Sequence, residues 1–409
     1  MFVAGRRESD RRPAGDQSAG SRLYVLDGLR IIAALMVVAF HLLAYDGTGW
    51  TTSVKGHFPS TYLLSYYGWL GVQLFFLISG FVICMSCWGK RVGDFAISRV
   101  TRLYPAYWFA VLVTALSLWL LPGVRDIPTL SNLAVNLTML QDAMGVDRVD
   151  SVYWSLWVEV RFYLLFVLVA WKGITYRRLV IFCLGWTVAG LFAAKADIEL
   201  ITTIVMPEHC WYFIAGIALY LIYRFGPSAL LWTIVAGCFL LGQHFLVAAH
   251  RSNQFYAGYK APLWPALILL AVIFAVMAAV AVGLTNSISW RWLPTAGTLT
   301  YPLYLLHEDI GWIFIRHTER RLHPYVIVAV LVVGLLIVSW LVHRWVERPM
   351  GRWMRRKLKD SLEDIRLHSQ LNTYNITGKL SELESLSQPY DPRASARTTA
   401  QREGRDASE

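Results

Sequence analysis

LDGLRIIAALMVVAFH, residues 26–41, is apolar and close to the length of a membrane span, yet it carries Arg30 near its start and His41 at its end. As an α-helix, eleven residues advance three turns plus roughly 20°, so the two side chains share a face about 16 Å apart. A guanidinium and a titratable ring on one stripe of a membrane helix are costly and point to function. The structural alternatives are snorkelling of Arg30 to lipid phosphates and a hydrogen-bonded core role for His41.

Working outward, the 409 residues are 56% apolar and 16% charged, with apolar runs recurring along the chain. The fold class is therefore all-α: a polytopic membrane helix bundle of about ten transmembrane helices. The spans fall near 24–45, 61–86, 104–121, 153–171, 179–194, 201–222, 228–248, 262–283, 296–315 and 324–345. The 18 Trp and 20 Tyr suit membrane interfaces. An even number of spans puts both termini on one side. The Lys and Arg excess in the N-tail, alternate loops and start of the C-tail makes that side cytoplasmic. Arg316, Arg320 and Arg321 run against this bias, so an error in the topology would lie at the ninth span. The first span has no convincing cleavage site and is read as an uncleaved helix. The expectation is a multi-pass protein of a bacterial inner or plasma membrane.

Three regions follow. Residues 1–22 form a cytoplasmic N-terminal tail, 23–349 the transmembrane domain, and 350–409 a polar, mostly disordered cytoplasmic tail with room for a short helix. The longest connection, 122–152, lies outside and is a candidate lid or acceptor-binding loop. The net charge of +11 is better explained by orientation and phosphate binding than by nucleic acid. Cys84 and Cys87 form a lone CxxC without a second pair, so no metal is expected and the five cysteines read as small core residues.

Four further strings carry chemistry. WSLWVEVRFY (154–163) puts Glu159 about 9 Å into a span, on one face with Ser155 and Tyr163. Its alternatives are a structural salt bridge, for example to Arg161, or a role in orienting a histidine. GTLTYPLYLLHE (297–308) lines Thr300, Tyr304 and His307 along one stripe, with Pro302 able to bend the helix and Glu308 pointing elsewhere. A polar packing seam is the structural alternative. FAISRVTRLYPAYW (95–108) sets Arg99 and Arg102 at a cytoplasmic helix mouth, suited to phosphates or to lipid headgroups. GWLGVQLFFLISGFV (68–82) offers Gly68, Gly71, Ser79 and Gly80 for close helix approach, with Gln73 as a donor and acceptor.

Depth sorts these groups. By the same topology, His41, Glu159 and His307 fall near or above the midplane, while Arg30, Arg99 and Arg102 fall at the inner face. One cluster can do acid–base chemistry while the other holds anions. A phosphate-bearing donor with a long thin arm would bridge them.

Taken together, the spacing of Arg30 to His41, GVQLFFLISGF, the Arg99/Arg102 pair before LYPAY, WSLWVE, TYPLYLLH and the closing Glu347–Pro349 resemble the acyltransferase-3 family of integral membrane O-acyltransferases over roughly 24–349. The resemblance implies transfer of an acyl group, often acetyl, from cytoplasmic acyl-CoA to a hydroxyl of a glycan or antibiotic-like acceptor. It implies catalytic roles for His41, Glu159, His307 and Tyr301, and acyl-CoA binding by Arg30, Arg99 and Arg102. In that reading His41 takes the hydroxyl proton, Glu159 orients the imidazole, and Tyr301 or His307 faces the developing oxyanion. Thr300 stands where the family often has Ser, and Val160-Arg161 follow Glu159 where Glu or Gln is more usual. The expected partners are acyl-CoA, the acceptor and the bilayer, with no nucleic acid. No hydrolase-like domain follows the last span, so the chain is expected to work alone or with a separate partner. A proton-coupled transporter or flippase is the competing class, since intramembrane His and Glu serve carriers too.

Overall fold

Inside a bilayer every backbone polar group must be satisfied within the chain, and a helix does this segment by segment. The computed structural model describes residues 23–387 except 48 and 197, with only the backbone of 256 and 369–387, and it is helical almost throughout. The tail 1–22 and residues 388–409 lie outside the described residues.

The long helices are α1 (Tyr24–Leu43), α2 (Gly71–Cys87), α3 (Val92–Leu120), α4 (Trp154–Ala170), α5 (Tyr176–Ala196), α6 (Cys210–Phe225), α7 (Ala229–Ala257) and α8 (Trp264–Ala281). After them come α9 (Leu293–Leu306), α10 (Asp309–Thr318), α11 (Pro324–Val342) and α12 (Arg348–Ser387). Among the described residues, nine helical segments are long and apolar enough to cross a membrane. The expected ninth span, 296–315, is not among them. It is split into α9 and α10 at His307–Glu308, where the sequence pattern anticipates only a bend.

The break has a local cause. Pro302 lacks the N–H that would bind the carbonyl four residues back, which weakens α9 in its last turns. Ending a helix frees carbonyls and amides that need partners. The His307 ring supplies one, with Nδ1 2.7 Å from the Tyr304 carbonyl. Asp150 supplies another, its Oδ2 accepting the Asp309 N–H at 3.4 Å.

The centre of the bundle is built on close backbone approach. α2 packs most extensively on α6, and α1 on α9. A Cβ at Gly80 would lie 2.3 Å from the Phe213 carbonyl oxygen, and one at Gly216 2.2 Å from that of Leu77. Only glycine lets α2 and α6 touch there. Gly71 does the same for α1, where a Cβ would meet the Ala33 carbonyl at 2.4 Å. This clamps together the helices that carry His41, Ser79 and the α9–α10 break. The cysteines are all free and buried, as small core residues are.

The chain divides at Met354 into two units. In the first, a π-helical turn at His343–Glu347, closed by Glu347 on His343 Nδ1 at 2.6 Å, packs against α3, the helix carrying Arg99 and Arg102. The second unit begins at Arg355 and is helical through Ser387, where the composition suggests a mostly disordered tail.

Candidate active site

Two cavities hold the residues singled out above, and the structure sorts them differently from the sequence. The first, of about 100 Å³, is lined by Arg30 from α1, Ser79 from α2, Arg99 and Arg102 from α3, Glu159 and Tyr163 from α4, and Thr300 and Tyr301 from α9. Three guanidiniums face one carboxylate here. Arg99 Nε is buried with no hydrogen-bond partner among the described residues. A buried donor of that kind is costly unless something fills it, so the pocket is chemically suited to an anion. A neighbouring cavity of about 200 Å³, sharing Arg30, Val82 and Arg102, extends from it towards Leu23 and Thr298.

Glu159 belongs to this arginine pocket. Its Oε1 accepts from Ser79 Oγ at 2.7 Å and from Tyr163 OH at 2.5 Å. The helical face shared by Ser155, Glu159 and Tyr163 is therefore real, and all three line the pocket. The expected contact with a histidine is not: Glu159 makes neither that nor a bridge to Arg161. Arg161 instead donates to the Thr203 carbonyl at 2.5 Å and lies over the Trp157 ring. Tyr301 is also on the arginine side, its hydroxyl donating to the Leu103 carbonyl at 3.2 Å.

The second cavity, about 630 Å³, contains His41, Glu308, Ser151, Arg125, Arg148, Trp154 and His209 among its walls. His41 and His307 meet at its edge, with His307 Nε2 3.1 Å from His41 Nδ1. The tautomers follow from the partners. Each Nδ1 faces a carbonyl, Val37 for His41 at 3.0 Å and Tyr304 for His307, so each carries its proton there. His307 Nε2 then accepts, and His41 Nδ1–H is shared between Val37 and His307. The His41 lone pair is left on Nε2, which lies 3.6 Å from Glu308 Oε2.

Glu308 is thus not pointed elsewhere. The helix break resets its phase and turns it to His41. The loop 122–152 holds the break: Ser151 Oγ donates to Glu308 Oε1 at 2.5 Å, and Arg125 Nε lies 3.3 Å from Asp309 Oδ1. Asp150, Glu308 and Asp309 are all buried around that one guanidinium. The carboxylates keep Arg125 charged against the opposing effect of its burial. A further cavity of about 760 Å³ beside the loop shares Arg125, Arg148 and Ser151 with the histidine cavity.

Val72 and Tyr304 line both the arginine pocket and the histidine cavity. Tyr304 is held there by a 2.7 Å hydrogen bond with Ser155 and by donation to the Val152 carbonyl at 3.1 Å. The two sites back onto one thin partition. Glu308, Ser151, Arg125 and Asp150 are the residues that sequence reasoning passes over. Their signal is weak: Asp150-Ser151 are separated from WSLWVE by two residues, and Pro302 lies five residues before His307. Among the described residues no group of three or more His, Cys, Asp or Glu side chains is placed to hold a metal ion.

A family model described as an acyltransferase domain matches residues 23–344. The peptidoglycan O-acetyltransferase OatA of Listeria monocytogenes is 26% identical over 81% of this chain, which covers 56% of that protein. The acyltransferase MdmB of Streptomyces mycarofaciens is 25% identical over 82% of this chain and 93% of its own length. The putative peptidoglycan O-acetyltransferase YrhL of Bacillus subtilis is 21% identical over 80% of this chain, which spans 54% of it. The chain thus spans about half the length of the two peptidoglycan relatives. No solved structure matches the chain.

Proposed function

Because the chain belongs to the acyltransferase-3 family, we propose that it moves an acyl group, acetyl in the first instance, from acyl-CoA to a hydroxyl of a glycan or glycosylated acceptor. The observation that carries this reading is the partition at Val72 and Tyr304, with three guanidiniums on one side and a histidine bearing a free Nε2 lone pair on the other. In this reading the broken pair α9 and α10 crosses as a tenth span, and the Lys and Arg bias then supports a cytoplasmic arginine pocket with both termini on that side. Arg30, Arg99 and Arg102 hold the phosphates, as forked guanidiniums do. The pantetheine arm passes Tyr304 and brings the thioester to His41. The acceptor enters from the opposite side, past Arg125 and Arg148. Its oxygen bonds to the thioester carbonyl carbon while its proton passes to His41 Nε2. The C–S bond breaks, its electron pair leaves on sulfur, and the imidazolium proton ends there as free thiol. His307 acts through His41, and Glu159 and Tyr301 serve the donor side. The glycan acceptor is supported by two relatives, the peptidoglycan O-acetyltransferase OatA and the putative one YrhL.

A proton-coupled carrier is the second reading, favoured by one feature: a helix interrupted at ionisable residues is a recurrent design of transporters. One assay separates the two. Purified protein in nanodiscs is given acetyl-CoA with soluble peptidoglycan fragments or glycosylated small molecules. CoA release that requires an acceptor, with an acetyl ester found on it by mass spectrometry, supports the transferase. Acceptor movement across proteoliposomes without CoA release supports the carrier and overturns the transferase.

A further inference from the structure

Two carboxylates compete for a place beside the reacting imidazole, and they sit in different cavities. Glu159 spends its Oε1 on Ser79 and Tyr163 in the arginine pocket. Glu308 is buried at the broken helix, with Oε1 tied to Ser151 and with Oε2 lacking a hydrogen-bond partner among the described residues. That free oxygen faces His41 Nε2 at 3.6 Å, and both residues line the histidine cavity. With the imidazole proton on Nδ1, Nε2 offers a lone pair and so does the carboxylate. The pair is short of one proton. A hydroxyl entering the cavity is what brings one.

We propose that Glu308, rather than Glu159, is the positioning carboxylate of His41, held by Ser151 so that its unpartnered oxygen meets the proton that the imidazole takes from the acceptor. This rests on the acyl-transfer reading above. The proton that leaves the acceptor oxygen becomes an N–H on His41 Nε2 beside a buried carboxylate. There the imidazolium is stabilised far more than it would be in water. Once protonated, Nε2 donates to this carboxylate, while Nδ1–H is shared with His307 on the other side of the ring. His307 and Glu308 are consecutive, and the break lets both reach one ring, which a continuous helix, turning about 100° per residue, does not allow. A merely structural Glu308, capping the break through Ser151, would leave its second oxygen with no task.

The test compares full-length wild type, Glu308→Gln, Ser151→Ala and Ser151→Thr in nanodiscs with acetyl-CoA and the best acceptor of the panel. Glu308→Gln keeps the volume and an oxygen for Ser151 but loses the charge. The expected result is a fall in kcat of about a hundredfold or more, the scale of a general-base contribution, with both KM values within about threefold. Ser151→Ala should lower kcat about tenfold by releasing Oε1, and Ser151→Thr, which keeps the hydroxyl, should restore it. If Glu308→Gln does not fold, the Ser151 pair decides. A Glu308→Gln enzyme with kcat within threefold of wild type, or equal losses in Ser151→Ala and Ser151→Thr, overturns this inference alone. A wild type that moves no acyl group overturns the functional reading and this inference with it.

Discussion

His307 Nε2 lies 3.1 Å from His41 Nδ1, joining two rings that are 266 residues apart in sequence. The contact is directional. His307 is locked by the Tyr304 carbonyl, so its Nε2 accepts, and that keeps the His41 proton on Nδ1 and the basic lone pair on Nε2. His41→Ala removes the base and should lower transfer by about 10²–10⁴-fold. His307→Ala removes only the orienting partner and should lower kcat about tenfold with KM unchanged. CoA release by the purified variants checks both. Equal activity in His41→Ala and wild type contradicts the assignment.

The arginine pocket makes a separate prediction. A lysine keeps charge but not the planar fork, so Arg99→Lys and Arg102→Lys should each raise the apparent KM for acetyl-CoA about tenfold, the worth of one charge-assisted hydrogen bond. Steady-state kinetics over donor concentration measures it. An unchanged KM would assign these arginines to lipid phosphates.

Close packing of α2 on α6 predicts a contrast among glycines. Gly80→Ala and Gly216→Ala drive a methyl into a backbone carbonyl that cannot step aside. Each should cost at least the ~1–3 kcal/mol of an overpacked core. Gly237→Ala in α7, where a Cβ meets nothing within 4 Å, should be neutral or stabilising by about 0.5–1 kcal/mol. Thermal midpoints in detergent read the difference. A Gly216→Ala protein as stable as Gly237→Ala contradicts the contact.

Asp150 gives a pH dependence. Burial, and then the charge of Glu308, push its carboxyl above the ordinary carboxylate range, outweighing the pull of Arg125. The folded chain then holds a proton that the unfolded chain has released. The native state binds more protons, so this group lowers stability as pH rises from the unfolded carboxylate value through the folded one. Asp150→Asn removes that slope. Between about pH 5 and about pH 8 the thermal midpoint of the variant should fall less than that of wild type. Parallel curves contradict the shift.

Much of this site is legible in the sequence because helical periodicity is a reliable ruler inside a membrane. Ser155, Glu159 and Tyr163 share a face by spacing and line one pocket, whereas Arg30 and His41, on one helix, line different cavities. The cluster of Arg30, Arg99 and Arg102 is legible through depth, since the topology sets all three at one face of the membrane. Glu308 is not. Its direction depends on a break after Leu306, and a periodic reading carried through that break gives it the wrong face. Partner choice is also hidden. Tyr163 shares the face of Glu159, but nothing local says that Ser79, rather than a histidine, completes its partners. Arg125 and Asp150 lie in a loop, where no period exists to place them.

Acyl transfer as proposed needs one passage from the arginine pocket, past Val72 and Tyr304, to His41. A structure in nanodiscs with acetonyl-CoA, whose ketone stands in for the thioester but cannot transfer, tests it most directly. The phosphates should lie against Arg30, Arg99 and Arg102, with Tyr304 swung from Ser155 and the ketone carbon beside His41 Nε2. Phosphates bound elsewhere, or a ketone halted next to Glu159 on the arginine side of Tyr304, would contradict it.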